Sequence, residues 1–258
     1  MALTFPQPAH TTKHISLLTH SFAAATFRLA QRSDGVSNGT ALWLGGQVLA
    51  HYLAQHHRRF AATNPRALEL GSGIGFTALA LASLGWDVLA TDTRNVVQSV
   101  LDNNIQANLT ALPQSAGSIE TRELDWTVPP DSWCWDNPRS VTSLADSPSP
   151  GLLQPPFDLI ISADTVYSHE LVTPLLRTVH ALCTSSHSLS QKHPHVLLCV
   201  ERRDPELVDT LFAEARDTWG FSVDRVPSTK LAKSLDKGGL KWSRSDWEDV
   251  EVWKLRLR

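Results

Sequence analysis

Cysteine, methionine, tyrosine and long apolar runs are all scarce in this chain of 258 residues, which has three Cys, one Met and two Tyr. Cys134, Cys183 and Cys199 lie far apart, are odd in number and form no CxxC. That argues against a disulfide framework and a cysteine-rich zinc site. The eleven histidines contain no HExxH, His193 and His195 merely flank a proline, and no metal is expected. No apolar run approaches the roughly 18 residues of a membrane span, so no membrane association is expected. The opening residues lack the charged-then-apolar order of a secretory signal. A reduced intracellular setting, cytoplasm or nucleus, fits best. Neither sign of charge dominates: 26 acids face 23 bases for a net −3. A general nucleic-acid coat is therefore disfavoured, although a local basic patch is not. Nothing repeats at a period of 20–50 residues. The length suits a single domain over residues 1–258, expected to act as a monomer.

What is present is a regular alternation of strand and helix patterns. Phe27 and Leu29 alternate with polar neighbours as in a strand. The turn pairs Asp34-Gly35 and Asn38-Gly39 make a hairpin plausible there. Leu44, Val48, Leu49, Tyr52 and Leu53 have helical spacing, so residues 1–58 read as an N-terminal hairpin and entry helix. Seven strands follow: 67–70, 88–92, 119–124, 157–163, 195–200, 221–226 and 250–257. Helical patterns lie between most of them, at 76–84, 97–105, 169–183 and 205–220. The continuously apolar 157–163 implies burial on both faces, as in a parallel sheet covered by helices. The fold class is α/β and doubly wound, with helices on both faces of the sheet. Two stretches interrupt the pattern. Residues 127–156 carry seven prolines in thirty and read as a long insertion loop, outside the core and open to partial deletion. Residues 183–195 read as a shorter polar loop.

The sharpest motif is Glu69-Leu70-Gly71-Ser72-Gly73-Ile74-Gly75, at a strand-to-helix turn. Glycines there let a ligand approach the backbone, and the helix start offers free N–H groups. Asp92 ends the next strand, placed to accept both hydroxyls of a ribose. Turn and acid together point to an adenosine-type cofactor. A nicotinamide dinucleotide calls for GxGxxG, but Phe76 takes the sixth position, where bulk obstructs the pyrophosphate. S-adenosylmethionine carries no phosphate, and its ammonium and sulfonium suit an acid such as Glu69.

The order E-x-G-x-G-x-G resembles motif I of the seven-strand, class I, Rossmann-like methyltransferases. Further segments extend the resemblance: Glu123-Leu124-Asp125-Trp126 after the third strand, and Asp164-Thr165-Val166-Tyr167 after the fourth. The D-x-x-Y form is similar to the signature of the protein-lysine methyltransferases called methyltransferase family 16. Ala41 to Gly46, Val200 to Arg203 and Glu251 to Lys254 also look like that family. The resemblance implies S-adenosylmethionine as cofactor and a lysine of a protein substrate as acceptor. It also implies roles. Gly71, Ser72 and Gly73 would face the methionine part and ribose, with Glu69 nearby. Asp92 would take the ribose hydroxyls, and Asp125 and Trp126 the adenine. Trp43 and Ala163 would line the pocket. Asp164 and Tyr167 would be the catalytic pair at the lysine mouth, one orienting the amine and the other shaping the channel.

Plainer readings stand beside these. Trp43, Trp126 and Tyr167 could be packing residues, and Asp164 a helix N-cap. Lys230, Lys233, Lys237, Lys241 and Arg244 could be a solvated loop or a contact for an acidic substrate protein. Two other functions remain open at this point. One is a methyltransferase acting on nucleic acid or a small molecule; the other is a cofactor-binding scaffold without turnover. Against methylation of a base amino group, no N/D-P-P-Y/F follows the fourth strand.

Overall fold

The computed structural model describes residues 5–32, 38–144, 147 and 149–258. Among the described residues, nine strands form two sheets. β1 (Leu17–Phe22) and β2 (Ala25–Ala30) make an antiparallel hairpin. The other seven are β3 (Arg66–Leu70), β4 (Asp87–Asp92), β5 (Ile119–Glu123), β6 (Leu159–Ala163), β7 (His195–Glu201), β8 (Phe221–Arg225) and β9 (Val250–Leu257). Their order is β5-β4-β3-β6-β7-β9-β8. β3 to β7 pair in parallel, and β9 runs antiparallel to both β7 and β8. The seven strands and the helices between them match the Rossmann-like expectation.

Alternate strand residues feed two apolar clusters, because successive side chains leave a strand on opposite faces. Ala67, Val88, Ala90, Leu159, Ile161, Leu197 and Cys199 join one. Leu68, Leu70, Leu89, Ile160, Val196 and Leu198 join the other. The first face carries α1 (Leu44–His56), α2 (Phe76–Ser83), α7 (Ser228–Lys237) and the hairpin. It also carries α3 (Arg94–Val96), which runs through a π turn into α4 (Asp102–Asn108). The second face carries α5 (Val172–Ser190) and α6 (Pro205–Asp217).

Four expectations need correction. The hairpin turns at Ala23-Ala24, with Ala23 at φ +49. Asp34-Gly35 lies outside the described residues, and Asn38-Gly39 belongs to a 3₁₀ turn leading to α1. Alanines carry none of the usual turn chemistry, so nothing local marked the site. The hairpin is held instead by α4. Asn108 accepts from Arg28 N–H at 2.8 Å and donates to its carbonyl at 2.9 Å, and Asn104 does the same to Ala30 at 2.8 and 3.0 Å. These amides close the edge of β2 as a neighbouring strand would.

Second, α5 continues to Ser190, so most of the expected 183–195 loop is helix. Its serines lie on a helix whose other positions, Cys183 and Ser186, are buried. Third, Lys230 to Lys237 fall within α7 rather than a loop. Leu231 and Leu235, four apart, bury one side of it.

Fourth, part of the proline-rich segment is core. Val141 and Leu153 are buried, and Val141 extends the sheet edge by exchanging hydrogen bonds with Glu123 and Cys134. Arg122, whose side chain is wholly buried, pairs with Glu120 at 3.0 Å. It also donates to the carbonyls of Trp135, at 3.0 Å, and Leu153. A buried guanidinium left without those acceptors is costly. Deleting 137–154 is therefore expected to destabilise the protein. Leu153→Ala alone should cost about 2–5 kcal/mol, and a denaturant titration within 0.5 kcal/mol of wild type would refute that.

Candidate active site

β3 sits at the switch point, with β4 and β5 to one side and β6 to the other. Ligands of open α/β sheets bind outside the carboxyl ends of strands at such a point. The expected site residues follow those ends: Gly71 after β3, Asp92 at the end of β4, Asp125 after β5, Ala163 at the end of β6 and Asp164 after it.

A cleft of about 300 Å³ opens there, at the lower end of the size range of small-molecule sites. Trp43, Gly71, Gly73, Asp92, Asp125, Trp126, Ala163, Asp164 and Tyr167 all line it. Gly71 has φ +72, and a Cβ on it would collide with Thr165 Cγ2; Gly73 has φ +54. Only glycine holds both positions without strain. Asp92 fixes this turn, accepting from Gly73 N–H at 2.9 Å and from Thr93 N–H at 2.7 Å. Burial pushes its carboxyl up to about 6, although these N–H groups favour the anion.

Ser72 and Glu69 lie behind the turn, in a small cavity of about 40 Å³ that shares Trp43, Gly71, Gly73 and Ala163 with the cleft. Both are buried, and Glu69 Oε2 and Ser72 Oγ make no hydrogen bond among the described residues. Burial pushes the Glu69 carboxyl up to about 8 and the nearby Asp92 adds to the rise, while the Ser72 and Thr77 hydroxyls and the Ala78 N–H, near but outside good hydrogen-bond geometry, act downward. Asp125 accepts from Thr127 N–H and Oγ1, at 2.9 and 2.7 Å. Trp126 is half-buried, with its indole N–H unpaired among the described residues.

Asp164 adopts φ +54 and ties three elements together. Its Oδ2 accepts from Gly45 N–H at 2.6 Å, in the first turn of α1, and its Oδ1 from Glu201 N–H at 3.0 Å, at the end of β7. It therefore caps the entry helix, not the helix that follows it in sequence. Burial and the neighbouring Glu201 push its carboxyl up to about 6, while those N–H groups and Arg203 act downward. Tyr167 is 61% exposed, so the packing reading fails.

A second cleft, about 200 Å³, joins the first along Trp43, Asp164 and Tyr167. Its walls are apolar at Val166, Val200, Leu207 and Val208 and charged at Glu201, Arg203 and Asp204. Arg203 also lies over Trp43, 4.8 Å from the ring centroid. The resemblance covered Val200 to Arg203 without assigning them a role. The strand-end position of Glu201 was the only signal in the sequence. None of Lys230, Lys233, Lys237, Lys241 and Arg244 lines either cleft. Reversing the charge at Lys233, Lys237 and Lys241 is accordingly expected to leave the substrate KM within about twofold at low and physiological salt. A KM rise that vanishes at high salt would restore the docking reading.

A family model for lysine methyltransferases matches residues 22–138. Protein N-lysine methyltransferase METTL21A of Mus musculus is 31% identical over 173 residues, covering 67% of this chain and 68% of that protein. The chain belongs to the lysine methyltransferase family. Protein-lysine N-methyltransferase rrg1 of Schizosaccharomyces pombe is 35% identical over 102 residues, 39% of this lysine methyltransferase and 29% of rrg1. Among solved structures, the Pyrococcus furiosus methyltransferase aligns at 14% identity with a TM-score of 0.48, covering 88% of this chain and 87% of that one.

Proposed function

We propose that this protein is an S-adenosylmethionine-dependent protein-lysine N-methyltransferase, with the larger cleft for the cofactor and the smaller for the lysine. One observation carries the choice of cofactor. The larger cleft is lined by three carboxylates, Asp92, Asp125 and Asp164, and by no lysine or arginine among the described residues. That lining opposes a pyrophosphate and suits a ligand bearing an ammonium and a sulfonium. Behind the turn Glu69, protonated in the free protein, adds a carboxyl that an arriving cation would ionise, Trp43 and Trp126 offer flat faces, and Asp92 retains lone pairs for ribose hydroxyls. The residues fit the group.

Bound there, S-adenosylmethionine supplies an electrophilic methyl group. The chain's own work is to bring a neutral amine to it in line. A lysine of pKa about 10.4 needs roughly 4.6 kcal/mol to lose its proton at pH 7. Asp164, even when pushed up to about 6, is too weak a base to take that proton. Each of its oxygens already accepts one N–H and keeps a further lone pair for an amine N–H. It orients the acceptor. Arg203, beside the second cleft, disfavours an arriving ammonium, whereas its ion-pair partner Glu201 and the neighbouring Asp204 favour it, and the proton leaves to water. The apolar walls suit the lysine stem, and exposed Tyr167 shapes the lip.

Asp164→Asn, which tolerates the positive φ, and Tyr167→Phe should lower kcat by about 10- to 100-fold through misplacement of the amine. Cofactor affinity should be unchanged in Tyr167→Phe and fall only a few-fold in Asp164→Asn, which keeps two of the three carboxylates of the larger cleft. Loss of cofactor binding with an undiminished saturated rate would reverse the assignment. Incubation with methyl-labelled cofactor and a cell extract tests the function itself. The expected label enters a protein band and is lost to protease. Label in nucleic acid, or no label, would overturn the proposal.

A further inference from the structure

Lys13 stands apart from the other six lysines of the chain. Its Nζ lies 3.4 Å from the centroid of the Trp43 ring, and Trp43 is a wall of both clefts. The side chain is half-buried. Its backbone is clamped on both sides, because Gln31 Nε2 donates to the carbonyls of Thr12 and Ile15 at 3.0 and 2.8 Å. The preceding turn is fixed to α1, with Ala9 N–H donating to Gln47 Oε1 at 2.8 Å and Gln47 Nε2 donating to Gln7 O at 2.9 Å. A primary amine is thus held by the fold over the wall that the two clefts share, within electrostatic range of Asp164, Glu201 and Arg203, while lining neither cleft itself.

We infer that Lys13 is a methyl acceptor for the chain's own active site, modified within the molecule. Burial and the neighbouring Arg203 lower its pKa, while Glu201 and Asp164 act the other way. In the transfer, the carbon–sulfur bond of S-adenosylmethionine breaks as the lone pair of neutral Nζ forms a nitrogen–carbon bond. The bonding pair passes to sulfur, giving S-adenosylhomocysteine, and the extra proton on the methylated nitrogen leaves to water. The clamped strap keeps the amine at a high effective concentration without an encounter.

The inference rests on the proposed function, and the test separates their failures. The purified full chain is incubated with methyl-labelled S-adenosylmethionine, alone and with cell extract, and its peptides are read by mass spectrometry. Methyl groups are expected on Lys13, with a first-order rate that holds over a roughly hundredfold range of protein concentration, as an intramolecular acceptor requires. Lys13→Arg should abolish label in the chain and leave label in extract protein. Label in extract protein with Lys13 unmodified, or a Lys13 rate proportional to concentration, would overturn the inference and spare the function. No label anywhere overturns both. A second readout needs no turnover. A carbodiimide, which joins an amine only to a carboxylate beside it, should link Lys13 to Glu201 or Asp164, the carboxylates that act on it. Exposed Lys233 serves as control and should link to neither. Absence of both Lys13 links overturns its placement beside the second cleft.

Discussion

Asp92→Ala is expected to weaken S-adenosylmethionine binding by about 10- to 150-fold, since hydrogen bonds to a charged group are worth roughly 1.5–3 kcal/mol. The structure moves the expectation toward the upper end. The Asp92 carboxylate is also the acceptor for Gly73 N–H and Thr93 N–H, so its removal frees the glycine turn as well. Its carboxyl is pushed up to about 6. Binding that depends on the anion should therefore weaken as pH falls through 6. Calorimetry from pH 5 to 8 checks both statements. Unchanged affinity in a folded variant, or a flat wild-type profile, would remove Asp92 from the site.

Glu69→Gln should make the protein more stable and a poorer binder at once. An acid whose folded pKa is raised, here to about 8 from 4.5, keeps its proton when folded and releases it on unfolding. Stability is then lost as pH rises from 4.5 to 8, by roughly 3 kcal/mol at pH 7. Glutamine is neutral in both states and removes that loss. Allowing for the hydrogen bonds a buried amide must find, a gain of about 2 kcal/mol is expected, or roughly 4–8 °C in Tm. A bound cation would draw the carboxyl down and ionise it, so the same change removes a charge that develops only in the complex and should lower cofactor affinity about tenfold. A Tm below wild type at pH 7, or unchanged affinity, would contradict this account of Glu69.

Strand–helix alternation made the seven-stranded sheet legible, because continuous apolar strands and amphipathic helices leave different periods in a sequence. The glycine turn and Asp92 were legible for a related reason, since both occupy fixed positions at strand ends. Three features were not. The tight turn at Ala23-Ala24 has no turn chemistry of its own, and the strand after it is held by Asn104 and Asn108, some eighty residues away. The buried Arg122 reaches two carbonyls of the proline-rich segment, and composition says nothing of such contacts. The polar residues of α7 outnumber its buried Leu231 and Leu235, so its charge was read before its period.

The second cleft is the clearest case at the site. Lys13 from the chain's first turn and Glu201 and Arg203 from the end of β7 gather around Trp43, at the start of the first long helix. No local spacing announces that meeting. The two oxygens of Asp164, committed to Gly45 and Glu201, likewise became visible only once three distant elements were in place. They give the residue proposed to orient the amine a second task, holding the entry helix against the sheet.

The chemical form of the transferred methyl group tests the central claim most directly. Protein labelled from methyl-labelled S-adenosylmethionine by this enzyme is hydrolysed in acid, and its amino acids are separated. The account predicts that the label runs with methylated lysine. Label in methylated arginine, histidine or a nucleoside, with none in lysine, would contradict it.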